Sequence, residues 1–214
     1  MLQAIFFDND GILVDTEPMF FEATRRTIKP LGIDLTQEWF IEENLKKNTN
    51  AFSLLKAKGA TDEEIERHRA DRNLLYESML REHVPVFDGV AEVLELLSEK
   101  FLLGVVSNSR RTTFDIIMEK SGLRKFFAFE LTVDDIGYGF GKPNPRPYLL
   151  ALEKSGKDPS VCIAIEDNER GVTAAHRAGI QCIAIPHALT KDHDFSLAVK
   201  VLKSMRELPT VMGC

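Results

Sequence analysis

Hydrophobic and polar positions divide this chain into three textures. The first is a short apolar run, Ala4-Ile5-Phe6-Phe7, that ends on Asp8-Asn9-Asp10-Gly11. Consecutive apolar residues closed by a glycine predict a buried strand, too brief for a helix. The second texture, residues 16–84, is helical throughout. Residues 18–29 predict a helix ending near Pro30 and Gly32, with Thr16 as N-cap and Pro18 in the first turn. Thr36 opens a second helix holding Trp39, Phe40 and Ile41, and residues 51–58 form a third, closed by Gly59. Thr61-x-x-Glu64 is a capping box for a long fourth helix reaching about Glu82.

The third texture begins with an extended return at Val84-Pro85-Val86-Phe87. From there strands alternate with helices. Asp88 is placed to cap a helix whose Val90, Val93, Leu94 and Leu97 share one face. Strands are expected at 101–106, near 128–132, at 161–165 and at 181–185. Helices are expected at 113–121, from Pro147 to about Ser155, and at 169–178 with Gly179 at its end. The alternation predicts an α/β fold of Rossmann-like kind, a mostly parallel sheet with helices on both faces. The predicted division is a core of residues 1–15 and 85–214 and an all-helical insertion over 16–84.

Composition narrows this picture little. A chain of 214 residues with 44% hydrophobic and 28% charged residues can bury a sizeable core without disulfides or structural metal. A net charge of −6 with no basic face argues against nucleic-acid and membrane-surface binding. Cys162 and Cys182 lie in apolar runs and read as small core residues, and the absence of a C-x-x-C pair disfavours zinc. No apolar run reaches membrane-spanning length, and the first strand begins at once, so a cytoplasmic protein is expected.

The candidate chemistry lies where the predicted strands end, because ligands of such sheets bind beyond the carboxyl ends of the strands. Asp8 and Asp10 stand two apart and lean to the same side as the first strand runs out. Two close carboxylates repel unless one takes a proton or a cation lies between them, and Mg²⁺ prefers oxygen ligands. The 101–106 strand meets Ser107-Asn108-Ser109, the 161–165 strand meets Glu166-Asp167-Asn168, and the segment after 128–132 carries Lys142-Pro143. Each piece alone has a plain reading: an acidic turn, helix-capping residues, a solvated lysine. Together, in order and each at a strand exit, they can hold a metal ion and a phosphate group.

In these motifs the chain resembles the haloacid dehalogenase-like hydrolase superfamily, in its phosphatase and phosphomutase branch with a helical cap. They are Asp8-Asn9-Asp10-Gly11-Ile12-Leu13-Val14-Asp15-Thr16-Glu17-Pro18, Val105-Val106-Ser107-Asn108, Gly141-Lys142-Pro143-Asn144-Pro145 and Ile165-Glu166-Asp167-Asn168-x-x-Gly171. The resemblance implies that Asp8 is the nucleophile that takes the phosphoryl group. Asp10 is then the general acid and base. Mg²⁺ is held by Asp8, the Asp10 backbone carbonyl and Asp167, with Glu166 in support. Ser107, the Asn108 backbone and Lys142 grip the phosphate. Asp10 also sets the chain apart from the dehalogenases and phosphonate-cleaving relatives, which lack an acid there.

The implied activity is Mg²⁺-dependent hydrolysis of a small phosphorylated metabolite through an aspartyl-phosphate. The alternatives are a sugar phosphomutase of the β-phosphoglucomutase type and a catalytically silent binding module; retention of Asp8, Asp10, Lys142 and Asp167 speaks against the latter. Three positions depart from the family pattern. Phe20 stands where many capped relatives have histidine, which weakens the mutase reading. The segment Asn44-Leu45-Lys46-Lys47-Asn48 lacks the glycine common in the specificity loop, and Arg146-Pro147 replaces an acid that often opens the helix. Thr16, Lys46 and Lys47 are the candidates for substrate specificity, the two lysines for a second anion.

Overall fold

The computed structural model describes residues Met1–Cys214. Strand β1, Ala4–Phe7, is buried at every position. Four helices follow: α1 (Glu17–Ile28), α2 (Gln37–Trp39), α3 (Ser53–Ala57) and α4 (Asp62–Glu82). The alternating part then runs α5 (Val90–Ser98), β2 (Leu102–Val106), α6 (Arg111–Ser121), β3 (Phe129–Leu131), α7 (Val133–Ile136), α8 (Arg146–Ser155), β4 (Cys162–Glu166), α9 (Glu169–Arg177), β5 (Gln181–Ala184), β6 (Lys200–Val201) and α10 (Leu208–Met212). The chain divides into two compact units, Met1–Asp15 with Pro85–Cys214, and Thr16–Val84.

The larger unit is built on one six-stranded sheet in the order β3-β2-β1-β4-β5-β6, with every neighbouring pair parallel. A parallel sheet needs cover on both faces, so its inner strands are apolar without alternation. Ala4 and Phe6 belong to the cluster that holds Tyr148 and Ala151 of α8 and Val172 and Ala175 of α9. Ile5 and Phe7 point to the opposite face and are equally buried, on the side where α5 meets β2. Burial of each phenylalanine is worth about 1.5–3 kcal/mol. No helix is long and apolar enough to cross a membrane.

The smaller unit is helical throughout. Its core joins Ile28, Ile33, Leu35, Ala51, Phe52 and Leu55, with Phe21 and Trp39 packed against them. The Thr61–Glu64 capping box forms, both of its bonds present, and α4 runs from it to Glu82. Arg72 of α4 is buried, its guanidinium 4.2 Å above the Phe20 ring and its Nη1 donating to Thr24 Oγ1 at 3.2 Å. Phe20 also meets Tyr76 edge-on at 5.3 Å. The aromatic at this position is thus a packing residue of the helical unit.

Several local expectations need correction. Thr16 precedes α1 at the N-cap position, but its side chain makes no capping bond; its backbone is helical there (ψ −12°), which turns the hydroxyl from the first-turn amides. The second helix is regular only over Gln37–Trp39 and continues as a π-helix over Phe40–Lys46. Asp88 does not cap α5: Gly89, at φ 77°, holds that place, and Asp88 pairs with Arg206 at 2.8 Å. Strand β6 and helices α7 and α10 lie beyond what the apolar pattern predicts.

Candidate active site

Strand register assembles the site. Phe7 lies level with Val105 of β2 and Ile165 of β4, so the next residue, Asp8, emerges beside Glu166 and just short of Ser107. The Asp8 N–H donates to Ile165 O at 2.9 Å, which extends the ladder by one residue. Chain order reverses at β1, with β2 and β3 to one side and β4 to β6 to the other. The crevice at such a reversal is the usual binding place of an open α/β sheet.

Lys142 lies buried among the acids. Its Nζ is 2.8 Å from Asp8 Oδ1 and 2.7 Å from Glu166 Oε1, and it donates to the Val106 carbonyl at 2.7 Å. Burial works to lower its pKa, yet the two carboxylates outweigh that and raise it, so the ammonium stays charged. Asp8 and Glu166 shift the other way from ordinary acids. Burial pushes both up; Lys142 pulls each back, and the neighbouring acids add to the rise. Tyr148 donates its hydroxyl to Glu166 Oε1 at 2.5 Å, while Glu166 Oε2 is buried without a hydrogen-bond partner.

Asp10 is held from another direction. Ser109 Oγ donates to its Oδ2 at 2.8 Å, and Asn9 Nδ2 does so at 3.1 Å. Ser107 Oγ lies 3.5 Å from the same oxygen and accepts the Ser109 N–H at 3.0 Å. The Asn108 side chain is occupied in tying its loop to Lys142: Oδ1 accepts the Lys142 N–H at 3.0 Å, and Nδ2 faces the Lys142 carbonyl at 3.4 Å. What Asn108 has to offer a ligand is therefore its backbone. The Lys142–Pro143 peptide is cis.

The family model described as haloacid dehalogenase-like hydrolase matches residues 5–185. The chain belongs to this family. Relatives and solved structures agree with it along the whole length. Pyrophosphatase PpaX of Oceanobacillus iheyensis is 27% identical over 99% of this chain and 97% of its own. Hexitol phosphatase B of Escherichia coli is 28% identical over 96% and 93%. The crystal structure of CbbY from Rhodobacter sphaeroides in complex with phosphate superposes with a TM-score of 0.82, 25% identity, and coverage of 97% and 96%. The chain is an enzyme of the phosphatase branch of the family.

In this haloacid dehalogenase-like enzyme the donor set fits a hard divalent cation. Carboxylate oxygens of Asp8, Glu166 and Asp167 all lie within 4.8 Å of one another, and all three residues are buried. Lys142 offsets one of their charges. One oxygen of this set of carboxylates, Glu166 Oε2, is buried with no hydrogen-bond partner. Buried like charges at this spacing are relieved by a proton or a cation, and an all-oxygen donor set is of the kind that suits Mg²⁺.

Asp8, Asp10, Ser107, Lys142, Glu166 and Asp167, with the Asn108 backbone, thus meet at one end of one sheet. Thr16, Lys46 and Lys47 belong to the helical unit. Thr16 is fully buried, and the lysines are paired along their own helix with Glu42 at 2.7 Å and Glu43 at 2.6 Å. Tyr148 and His187 are not among the residues that the sequence singles out, and Ser109 stands out there only as part of the Ser107-Asn108-Ser109 exit, with no role of its own. Ser109 was visible as a third polar residue after β2. Tyr148 and His187 carry no local signal, because only the packing of α8 on the sheet and the turn after β5 bring them to the acids.

Proposed function

We propose that this enzyme is a Mg²⁺-dependent phosphomonoesterase acting on a small phosphorylated metabolite through an aspartyl-phosphate on Asp8. The observation that carries the reading is the buried Lys142, bonded to Asp8 at 2.8 Å and to Glu166 at 2.7 Å within a three-carboxylate cluster. An Asp–Lys pair of this kind presents a nucleophile and a phosphate-neutralising cation side by side. Asp8 attacks phosphorus, the ester P–O bond breaks, and Asp10 gives its proton to the leaving oxygen. Asp10, now a carboxylate held by Ser109, takes a proton from water, whose oxygen attacks the acyl phosphate and frees Asp8 and inorganic phosphate.

Lys142, the Ser107 hydroxyl and the Asn108 backbone amide hold the phosphoryl oxygens in place during both displacements. Mg²⁺, held by Asp8, the Asp10 carbonyl and Asp167 with Glu166 in support, supplies charge neutralisation at the phosphoryl group when bound. The residue 1–15 and 85–214 unit is the catalytic core in this reading, and the helical unit selects the substrate. A second anion reaching Lys46 or Lys47 would have to displace Glu42 or Glu43. The names of the relatives, a hexitol phosphatase and a pyrophosphatase, support a small phosphorylated substrate.

Phosphate release from a panel of small phosphomonoesters, with and without Mg²⁺, tests this for the native chain and Asp8→Asn. Mg²⁺-dependent release that is lost in the variant is expected. Release that survives Asp8→Asn, or no release from any compound, would overturn it, and in the latter case hexose phosphate isomerisation would point to the mutase.

A further inference from the structure

His187 lies in the turn after β5, with its Nε2 3.1 Å from Asp167 Oδ2. The other Asp167 oxygen, Oδ1, accepts from Asn168 Nδ2 at 2.7 Å. Both oxygens of this fully buried carboxylate are therefore addressed by a side chain. The surrounding hydrogen bonds assign the tautomer of the imidazole. The Leu189 N–H points at Nδ1 from 3.4 Å, and a backbone amide can only donate. Nδ1 is then the acceptor, and Nε2 carries the hydrogen and donates it to Asp167.

The turn fixes the ring in this pose. The His187 N–H donates to Thr190 Oγ1 at 3.1 Å, the Thr190 N–H returns to the His187 carbonyl at 3.0 Å, and Thr190 is fully buried. The Phe87 ring lies 6.1 Å from the imidazole. The opposite wall is Gly11. A Cβ there would lie 2.5 Å from Asp167 Oδ2 and 3.0 Å from His187 Nε2, and at φ +86° the backbone itself favours glycine. Only a residue without a side chain leaves this hydrogen bond intact. The glycine that follows Asp10 thus serves the far acid of the site as well as its own turn.

We infer that His187 is a positioning residue for divalent-cation binding: by donating from Nε2 it holds the Asp167 carboxylate in the orientation seen here. In this role it acts through Asp167, with its Nε2 hydrogen facing the carboxylate. This rests on the reading of Asp167 as a metal-holding residue. An outer hydrogen bond to a metal-holding carboxylate orients it and raises affinity, and loss of such a partner typically costs about 10–100-fold.

The test is Mn²⁺ binding to the full chain at fixed pH, read from the electron paramagnetic resonance signal of the free ion, without substrate. His187→Leu keeps the bulk and removes the donor; His187→Gln restores an N–H at a similar reach. Binding weakened roughly 10-fold or more in His187→Leu, and recovered to within a few-fold in His187→Gln, is expected. Circular dichroism checks that each variant is folded, and His187→Phe replaces His187→Leu as the donor-less variant if the latter is not. Native-like affinity in the donor-less variant overturns the role of His187 and leaves the phosphatase reading intact. Equal weakening in His187→Gln overturns it too, since the donor would then not matter. No Mn²⁺ binding by the native chain overturns both.

Discussion

Gly171 lies in α9, where helix propensity alone makes glycine about 1 kcal/mol worse than alanine. The structure reverses that preference. An added Cβ would fall on the Glu166 carboxylate, the group that Lys142 and Tyr148 both bond. Backbone or acid would have to move, and overpacking of that kind costs about 1–3 kcal/mol. The larger effect wins, so Gly171→Ala is expected to lower stability despite its better propensity. The urea midpoint should fall with an unchanged slope; a rise would show that Glu166 has room to yield. Because Glu166 shares Lys142 with Asp8, the same variant should also lose phosphatase turnover.

Among the elements, α1 and α4 are joined by one buried cation. Arg72 lies over Phe20 at 4.2 Å, within reach of Phe52 at 5.5 Å, and bonds Thr24. An arginine so enclosed contributes through ring contact and through its packed stem. Arg72→Ala removes both and is expected to destabilise the chain by about 1–3 kcal/mol. Thermal unfolding reads this directly, and an unchanged midpoint would show that the stacking contributes nothing. The four-helix pattern of this unit was legible in caps and spacing: Thr36 accepts from Trp39 N, and Thr61 and Glu64 close their box. The π-helical stretch at Phe40–Lys46 was not, because no residue type marks a widened turn.

Over the whole molecule, titration should show two opposed windows. Glu22, bonded by Arg25 and Arg26, is held down at about 2, below its unfolded value of roughly 4.3. Such a depressed acid contributes stability above the unfolded pKa and loses it as pH falls toward 2. Asp8 and Glu166 have the opposite sign, with native values raised first by burial. The folded chain then holds more protons than the unfolded one above about pH 4, and stability falls as pH rises through their native values. A bound cation favours the charged acids and reverses that loss. With a chelator present the melting temperature should decline from mildly acid to neutral pH, and Mg²⁺ should raise it more at neutral than at acid pH. An Mg²⁺ effect independent of pH would argue that the raised acids are not those the cation engages. Asp8→Asn should flatten the chelator-present decline, because it removes one of the titrating charges.

The sequence by itself determined the succession of elements, the helical stretch between the first strand and the extended return, and the acids, serine and lysine at the strand exits. It could do so because strand alternation, capping boxes and glycine stops are local, acting over a few residues. Tertiary structure alone decided which of these groups meet. The parallel register sets Asp8 beside Glu166, and Lys142 spans 134 residues of chain separation to reach Asp8. The same packing joins Tyr148 to Glu166 and His187 to Asp167, contacts that no local pattern encodes. It also removed Asp88 from the α5 cap by offering it Arg206, 118 residues away in the chain. Such partners depend on how strands order themselves in the sheet, a choice made by burial of the whole apolar surface rather than by any short segment.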